Sequence, residues 1–213
     1  MNSLSKKLAG AALSALLLAT CPSVHAAREV GGVRFEDQLT LADQALVLNG
    51  VGMRVKMIIK VYAVGLYVPR RDASAASVLN QSGPKSVRIV MLRNVSAEQL
   101  ADSLVTGIED NASKAEQAVL RKRLDVLQAT MMKVGEAQKG SVIQLDYVPG
   151  QGTHITLGGK ALGQDIAGED FYRSGQQAMV TFTKGKASEV VQSNGQRKVK
   201  FKDLILNEDT EMD

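Results

Sequence analysis

Leu48-Asn-Gly-Val-Gly-Met-Arg54 runs on through a nearly unbroken apolar stretch to Leu66-Tyr67-Val-Pro69. From Arg54 to Val68 the chain is rich in Val, Ile, Tyr and Met, which predicts one long strand or a bent pair. Polar residues do not alternate cleanly along it, so both of its faces are expected to be covered. Gly65, inside the run, predicts a bulge or a close backbone approach. Arg54 stands out in this setting. A guanidinium placed after a Gly-x-Gly segment and leading into an apolar strand is costly to bury without an anion. That anion is either a carboxylate of the chain itself (Asp146, Glu36 or Asp37) or one carried by a ligand.

Working outward, Val33-Arg-Phe35, Leu39-Thr-Leu41 and Ala45-Leu-Val-Leu48 read as short strands, with turns marked by Asp43-Gln44 and Asn49-Gly50. Ala73 to Asn80 reads as a short helix and Ser86 to Leu92 as another strand. The period then changes. Ser96 with Gln99 and Ser113 with Glu116 are capping-box pairs. Behind them Leu100, Leu104 and Ile108, then Leu120, Leu124, Leu127 and Met131, recur at helical spacing. The two helices meet near Asn111-Ala112 as an αα-hairpin. Arg121, Lys122 and Arg123 read as a solvated face, and Met131 and Met132 as core filler. Strands resume at Ser141–Val148 and Thr153–Leu157 around the turn Pro149-Gly-Gln-Gly152, and Gly158-Gly159 forms the next turn. This order of β-rich, helical and again β-rich segments argues for an α+β fold, with helices packed on one face of an antiparallel sheet.

The first 26 residues carry a basic start (Lys6, Lys7), a short apolar run (Leu8–Ala19) and small residues before a cut after Ala26. They read as a secretory signal peptide, which implies a periplasmic or secreted protein. Cys21 in Leu18-Ala-Thr-Cys21 offers a weaker lipoprotein reading. Cleavage would take Lys6 and Lys7 from the 26 basic residues, leaving 24 against 22 acidic and a net charge near +2. No basic stripe interleaved with aromatics points to nucleic acid. The only cysteine leaves with the signal, so disulfides, cysteine nucleophiles and Cys/His zinc sites are excluded. No metal, cofactor or stable membrane insertion is expected. His154, the remaining histidine, would have to serve any Ser-His-Asp triad; in Thr153-His-Ile-Thr-Leu157 it reads instead as a solvent-facing strand residue.

Five segments resemble the bacterial branch of the chalcone isomerase-like family: Val30–Phe35, Leu46–Arg54, Lys60-Val-Tyr-Ala-Val-Gly-Leu-Tyr67, Met91-Leu-Arg-Asn-Val-Ser96 and Leu145-Asp-Tyr-Val-Pro-Gly150. Ile166-Ala-Gly-Glu-Asp-Phe-Tyr172 is similar to the family's approach to its last helix. The resemblance covers about residues 30–172. It implies an open-faced β-sandwich, a large antiparallel sheet with helices wrapping one face and an apolar ligand cleft between them. The domain is expected to span 27–172, followed by a divergent tail, 173–213, in which Ser174-Gly-Gln-Gln177 interrupts a helix and Ala178–Thr183 and Arg197–Lys202 alternate like strands.

In the plant enzymes of the family, the arginine matching Arg54 steers an oxyanion during ring closure. The plant threonine, tyrosine and asparagine of that chemistry match Tyr62, Leu100 and Gly107 here. Ring closure needs a base or a polarised water as well as charge stabilisation, and of the four polar positions only Arg54 is kept. Arg54 with a nearby tyrosine resembles the fatty-acid-binding members, in which an arginine and a tyrosine hold a carboxylate head. Such a site offers a bidentate fork and a phenol donor, with about 0.8 kcal/mol for each methylene buried behind them. Three readings follow: an exported protein binding a small lipophilic carboxylate through Arg54 and Tyr62, a chalcone-type isomerase using Arg54, or a domain in which Arg54 is satisfied internally and no ligand binds.

Overall fold

The computed structural model describes residues 27–56, 58–184, 190–193 and 196–199. The chain forms β1 (Arg28–Val30), β2 (Val33–Phe35), β3 (Gln38–Leu41), β4 (Gln44–Lys56), β5 (Ile59–Val68), α1 (Ala75–Leu79), β6 (Lys85–Met91), β7 (Val95–Ser96), α2 (Ala97–Glu109), α3 (Lys114–Met132), β8 (Glu136–Ala137), β9 (Val142–Val148), β10 (Gly152–Leu157), β11 (Lys160–Ala161), α4 (Glu169–Lys184), β12 (Val190–Ser193) and β13 (Gln196–Val199). Seven strands make one antiparallel sheet in the order β11-β10-β9-β6-β5-β4-β3. The α+β reading holds. The signal peptide, Cys21 and residues 200–202 lie outside the described residues.

The alternation of β5 sorts the core. Tyr62, Val64, Leu66 and Val68 face the helices, where they join Leu100, Leu104, Leu124 and Phe171. Ala63 and Tyr67 face the other way, with Phe35, Leu46 and Leu48, beneath the β1–β2 hairpin. Both faces of β5 are thus covered, as its sequence predicts. The close approach expected at Gly65 is also present: a Cβ there would lie 2.7 Å from the Phe35 ring.

Asn49-Gly50, expected as a turn, lies inside β4, which continues for 13 residues. The pairing with β5 shifts between Leu48 and Gly50, which marks a bulge at Asn49. This bulge inverts the strand's alternation. Leu46 and Leu48 face the β1–β2 hairpin, whereas Gly50, Gly52 and Arg54 stand opposite Leu66, Val64 and Tyr62 on the helix side. The bulge is stitched in place from the loop after β5. Asp72 N–H donates to Asn49 Oδ1 at 2.8 Å, and Arg71 Nε donates to the Leu48 carbonyl at 2.9 Å. Asn49→Ala should leave the Asp72 amide without its acceptor. It is expected to lower unfolding free energy by about 1–2 kcal/mol, read from the midpoint of a urea titration. An unchanged midpoint would show that the stitch is dispensable.

The expected α2–α3 hairpin forms. Ser113 and Glu116 make a complete capping box, and the Ser96 hydroxyl caps the Gln99 amide. Two expectations on this hairpin are corrected. Met131 is buried, but Met132 is half exposed, because it falls one position off the stripe. The basic triplet is also not merely solvated. Arg121 pairs with Glu109, and Arg123 forks onto Asp170 with both contacts at 2.6 Å.

The largest correction concerns Ala178–Thr183, which is helical within α4 and not a strand. Phe171, Tyr172, Gln176 and Met179 recur at helical spacing and are all buried. That stripe outweighs a two-residue alternation. Gly175 does not end the helix. It lies where α2 approaches, with Ile108 Cδ1 3.9 Å from where its Cβ would be, an ordinary packing distance. Farther along the tail, Gln196–Val199 is a strand as expected, paired with Val190–Ser193.

The Arg123–Asp170 fork ties the first turn of α4 to α3. Hydrogen bonding from the guanidinium holds the Asp170 carboxyl below the usual carboxylate range. Such a group stabilises the fold above its unfolded-state pKa, and that contribution is lost as the pH falls through the lower folded-state value. Both side chains meet water, so the contribution is under about 1 kcal/mol. Asp170→Asn should therefore narrow the stability difference between about pH 7 and about pH 3, measured by urea unfolding at the two values.

Candidate functional site

The inverted half of β4 places Arg54 directly opposite Tyr62. Tyr62 in turn pairs with Met91 on β6. Arg54 is half-buried, whereas Tyr62 is 1% exposed and belongs to the helix-side core. Burial raises the Tyr62 pKa; the nearby Arg54 charge and a hydrogen bond with Ser103 of α2 pull it down. The phenol therefore remains a neutral donor in ordinary buffers. Sequence reasoning identifies Arg54 and Tyr62, and the fold brings them together. It does not identify Ser103, which lies on the more polar side of the α2 stripe and carries no motif.

Of the carboxylates considered as internal partners for Arg54, Asp37 binds Arg71 at 3.0 Å and Asp146 accepts from Gln144 at 3.2 Å, and Arg54 itself takes part in an interaction within the chain. The strands beyond Arg54 end in a hairpin tip at which Ile58 is 93% and Ile59 44% exposed, between the exposed Lys56 and Lys60. Arg54 thus stands between an open apolar tip and the buried phenol.

Two of the positions that match the plant catalytic residues, Leu100 and Gly107, carry no acid or base. Leu100 is buried in the helix-side core, and Gly107 faces Ala178 of α4. His154 lies on the opposite face of the sheet, half exposed, with Nδ1 2.6 Å from Asp165 Oδ1. It is a surface strand residue as read, now with an acidic partner.

Among the described residues, side chains of the sheet, α2, α3 and α4 pack the helix face, and one space under α4 measures about 30 Å³. Cavities that hold small organic ligands run to about 300–1,000 Å³. This space is lined by Val87, Leu104, Ile108 and Phe171 together with Thr153, Tyr172 and Gln176. In these lining residues, Thr153 Oγ1, Tyr172 Oη and both amide atoms of Gln176 are buried without a hydrogen-bond partner among the described residues. Tyr172 stacks on Tyr147, and beyond it lies Lys85, 1% exposed, paired with Glu169 at 3.5 Å. Sequence reasoning misses this second polar set. The available signal is a glutamine within the apolar stripe of α4, invisible while that segment is read as a strand.

Comparison with known proteins places this architecture. The profile of the family described as chalcone isomerase-like matches residues 27–175, and the chain belongs to that family. Among solved structures, the chain is similar to a fatty-acid binding protein of Arabidopsis thaliana. The TM-score is 0.56 and the identity 13%, over 76% of this chain and 90% of that one. At that identity the likeness shows the shared fold. No curated protein sequence matches the chain. No helix among the described residues is long and apolar enough to cross a membrane.

Proposed function

We propose that this is an exported carrier for a small lipophilic carboxylate of the fatty-acid kind. The carboxylate would be held by Arg54 and Tyr62, with its tail entering between the sheet and the helices. The observation that carries this reading is the register of β4 and β5, which sets a guanidinium opposite a buried neutral phenol on the face the helices cover. A fork of N–H donors and one O–H donor suit a carboxylate. The fold shared with a fatty-acid binding protein agrees with this reading. Export rests on the character of residues 1–26. Ring closure of the plant type lacks support, since Leu100 and Gly107 supply neither proton transfer nor polarisation.

At the space under α4, which is about 30 Å³, a tail would enter only if the helix face opened. α4 is the element suited to move. It meets α2 through Gly107 against Ala178 and Gly175 against Ile108, small-residue contacts, while Phe171, Tyr172 and Met179 seat it on the core and would have to be displaced. Apolar side chains displaced by the tail would exchange one greasy contact for another, so the cost of opening is offset as the chain enters.

A second reading has its own support. The small residual space favours a domain that binds nothing inside and whose interior is purely structural. Tyr62→Phe separates the two. It keeps the packed ring and removes one donor. If a carboxylate binds, affinity for dodecanoic acid, measured by calorimetry, should fall about tenfold while stability changes by about 1 kcal/mol or less. No heat of binding for the unsubstituted protein would favour the structural reading.

A further inference from the structure

We infer that the end of the sheet carrying the β4–β5 tip is a docking surface for an anionic lipid bilayer. Ile58 and Ile59 enter the headgroup layer, and the cations around them meet the lipid charges. The inference stands apart from the carrier reading and needs no ligand.

The tip is the first observation. Ile58 is 93% and Ile59 44% exposed, and the exposed Lys56 and Lys60 flank them. Apolar residues scattered singly over a surface are ordinary. Adjacent isoleucines at a hairpin reversal are not, because such reversals favour Asn, Asp and Gly. The strands stay paired up to the tip, Lys56 with Ile59, so the isoleucines stand at the outer limit of the sheet.

The second observation is the charge gathered at the same end. Leu92 N–H donates to the Val61 carbonyl at 2.9 Å, Gly140 N–H to that of Met91 at 2.8 Å, and Gly158 N–H to that of Val142 at 2.8 Å. These bonds align the ends of β5, β6, β9 and β10. Beside them stand Lys60, Arg93, Lys139 and Lys160, all exposed. Together with Lys56 they spread cations along one end of the sheet, and among the described residues none of these cations is in an ion pair. Two acids reach this end, Glu136, which accepts from Asn94 at 3.5 Å, and Glu98 in the first turn of α2. On the neighbouring β1–β2 hairpin Glu29 is the register partner of Arg34, so that pair adds no net charge. The balance is positive.

Charge and chemistry select the occupant. In a symmetric dimer built on this end, the same cations would face one another. A nucleic acid strand calls for aromatic side chains on which bases stack, and the tip offers isoleucine. An anionic bilayer complements both features. Its boundary region accepts the isoleucines, and lysine stems reach the headgroups while their ammonium groups stay hydrated. A single apolar insertion holds a membrane weakly, and an added basic patch makes the attachment firm. Arg54 and Tyr62 lie just inward of Lys56 and Lys60 along the two strands, so docking brings that pair to the lipid surface.

The test is co-sedimentation of the full chain with vesicles of phosphatidylcholine alone or mixed with phosphatidylglycerol. The unsubstituted protein should bind the mixed vesicles and leave the neutral ones, and added salt should weaken binding. Each cation near an anionic surface strengthens binding about fivefold, so Lys56→Gln with Lys60→Gln should weaken it about tenfold or more. Ile58→Ser with Ile59→Ser should also weaken it about tenfold or more. These side chains are exposed, so both variants should fold, and the N-terminal residues are common to all the proteins, so a difference reports the tip. Val119→Ser, at an exposed apolar residue of α3, should leave binding unchanged. Absence of binding to the mixed vesicles would overturn the inference, as would equal binding to both kinds or binding that survives both tip variants. Self-association lost in the isoleucine variant, with no vesicle binding, would assign the tip to a second copy and overturn it too. None of these results bears on dodecanoic acid binding, which is measured without lipid.

Discussion

Arg54→Ala should abolish the thermal stabilisation that dodecanoic acid confers on the unsubstituted protein. Ligand at a hundredfold excess over Kd stabilises a folded protein by about 2.7 kcal/mol. For a chain of this size that raises Tm by about 5–10 °C. Two charge-assisted hydrogen bonds from a guanidinium contribute about 1.5–3 kcal/mol each, so removing the fork should weaken binding by a hundredfold or more. The variant should then shift by less than about 1 °C at the same ligand concentration. Arg54 is only half-buried and stands on an edge of the core, so the ligand-free variant should fold. Arg54→Lys sharpens the result. A point charge without the planar fork should restore part of the shift and not all of it. A full shift in Arg54→Ala would show that the carboxylate is held elsewhere.

The second large effect concerns the approach to α4. Gly152 → Ala should cost about 3 kcal/mol or more, seen as a fall in Tm of about 6–12 °C. Gly152 has φ of +110°, and a Cβ there would lie 2.5 Å from the Ile166 carbonyl oxygen and 3.0 Å from its carbonyl carbon. The obstacles are backbone atoms and cannot rotate away. They belong to the segment that binds Thr153 through a reciprocal pair, Thr153 N–H to Ile166 O at 2.7 Å and Ile166 N–H to Thr153 O at 2.9 Å. That bridge seats the chain just before α4 and holds Thr153 at the cavity. The substitution should therefore also loosen α4 and speed ligand exchange. A neutral effect would mean that the bridge yields freely.

Much of the frame was legible because local chemistry and global packing agree. The Ser113–Glu116 box, the leucine stripes of α2 and α3 and the alternation of β9 and β10 each point to the element that forms. The same holds for the pairing of Arg54 with Tyr62, since residues eight apart across a short hairpin lie close together. Asn49-Gly50 misled because a turn and a β-bulge use the same residue types. What decides for the bulge is the clasp from Arg71 and Asp72, more than twenty residues away. The beginning of α4 misled for a related reason. Gly175 reads as a breaker in isolation, yet the buried stripe of Phe171, Tyr172, Gln176 and Met179 carries the helix through it. How tightly the helices meet the sheet was not legible at all, since periodicity identifies which face is apolar and not how closely two such faces pack. The polar set at Gln176 was hidden by the same misreading of the helix.

The most direct measurement is the titration of a carboxyl-labelled ligand. With carbon-13 at the carboxyl of dodecanoic acid, the bound signal should remain that of a carboxylate to a pH well below the range where the free acid protonates, because Arg54 favours the ionised form. In Arg54→Ala that protection should vanish. A bound carboxyl that titrates as it does in water, or the absence of any bound signal at saturating ligand, would contradict the account.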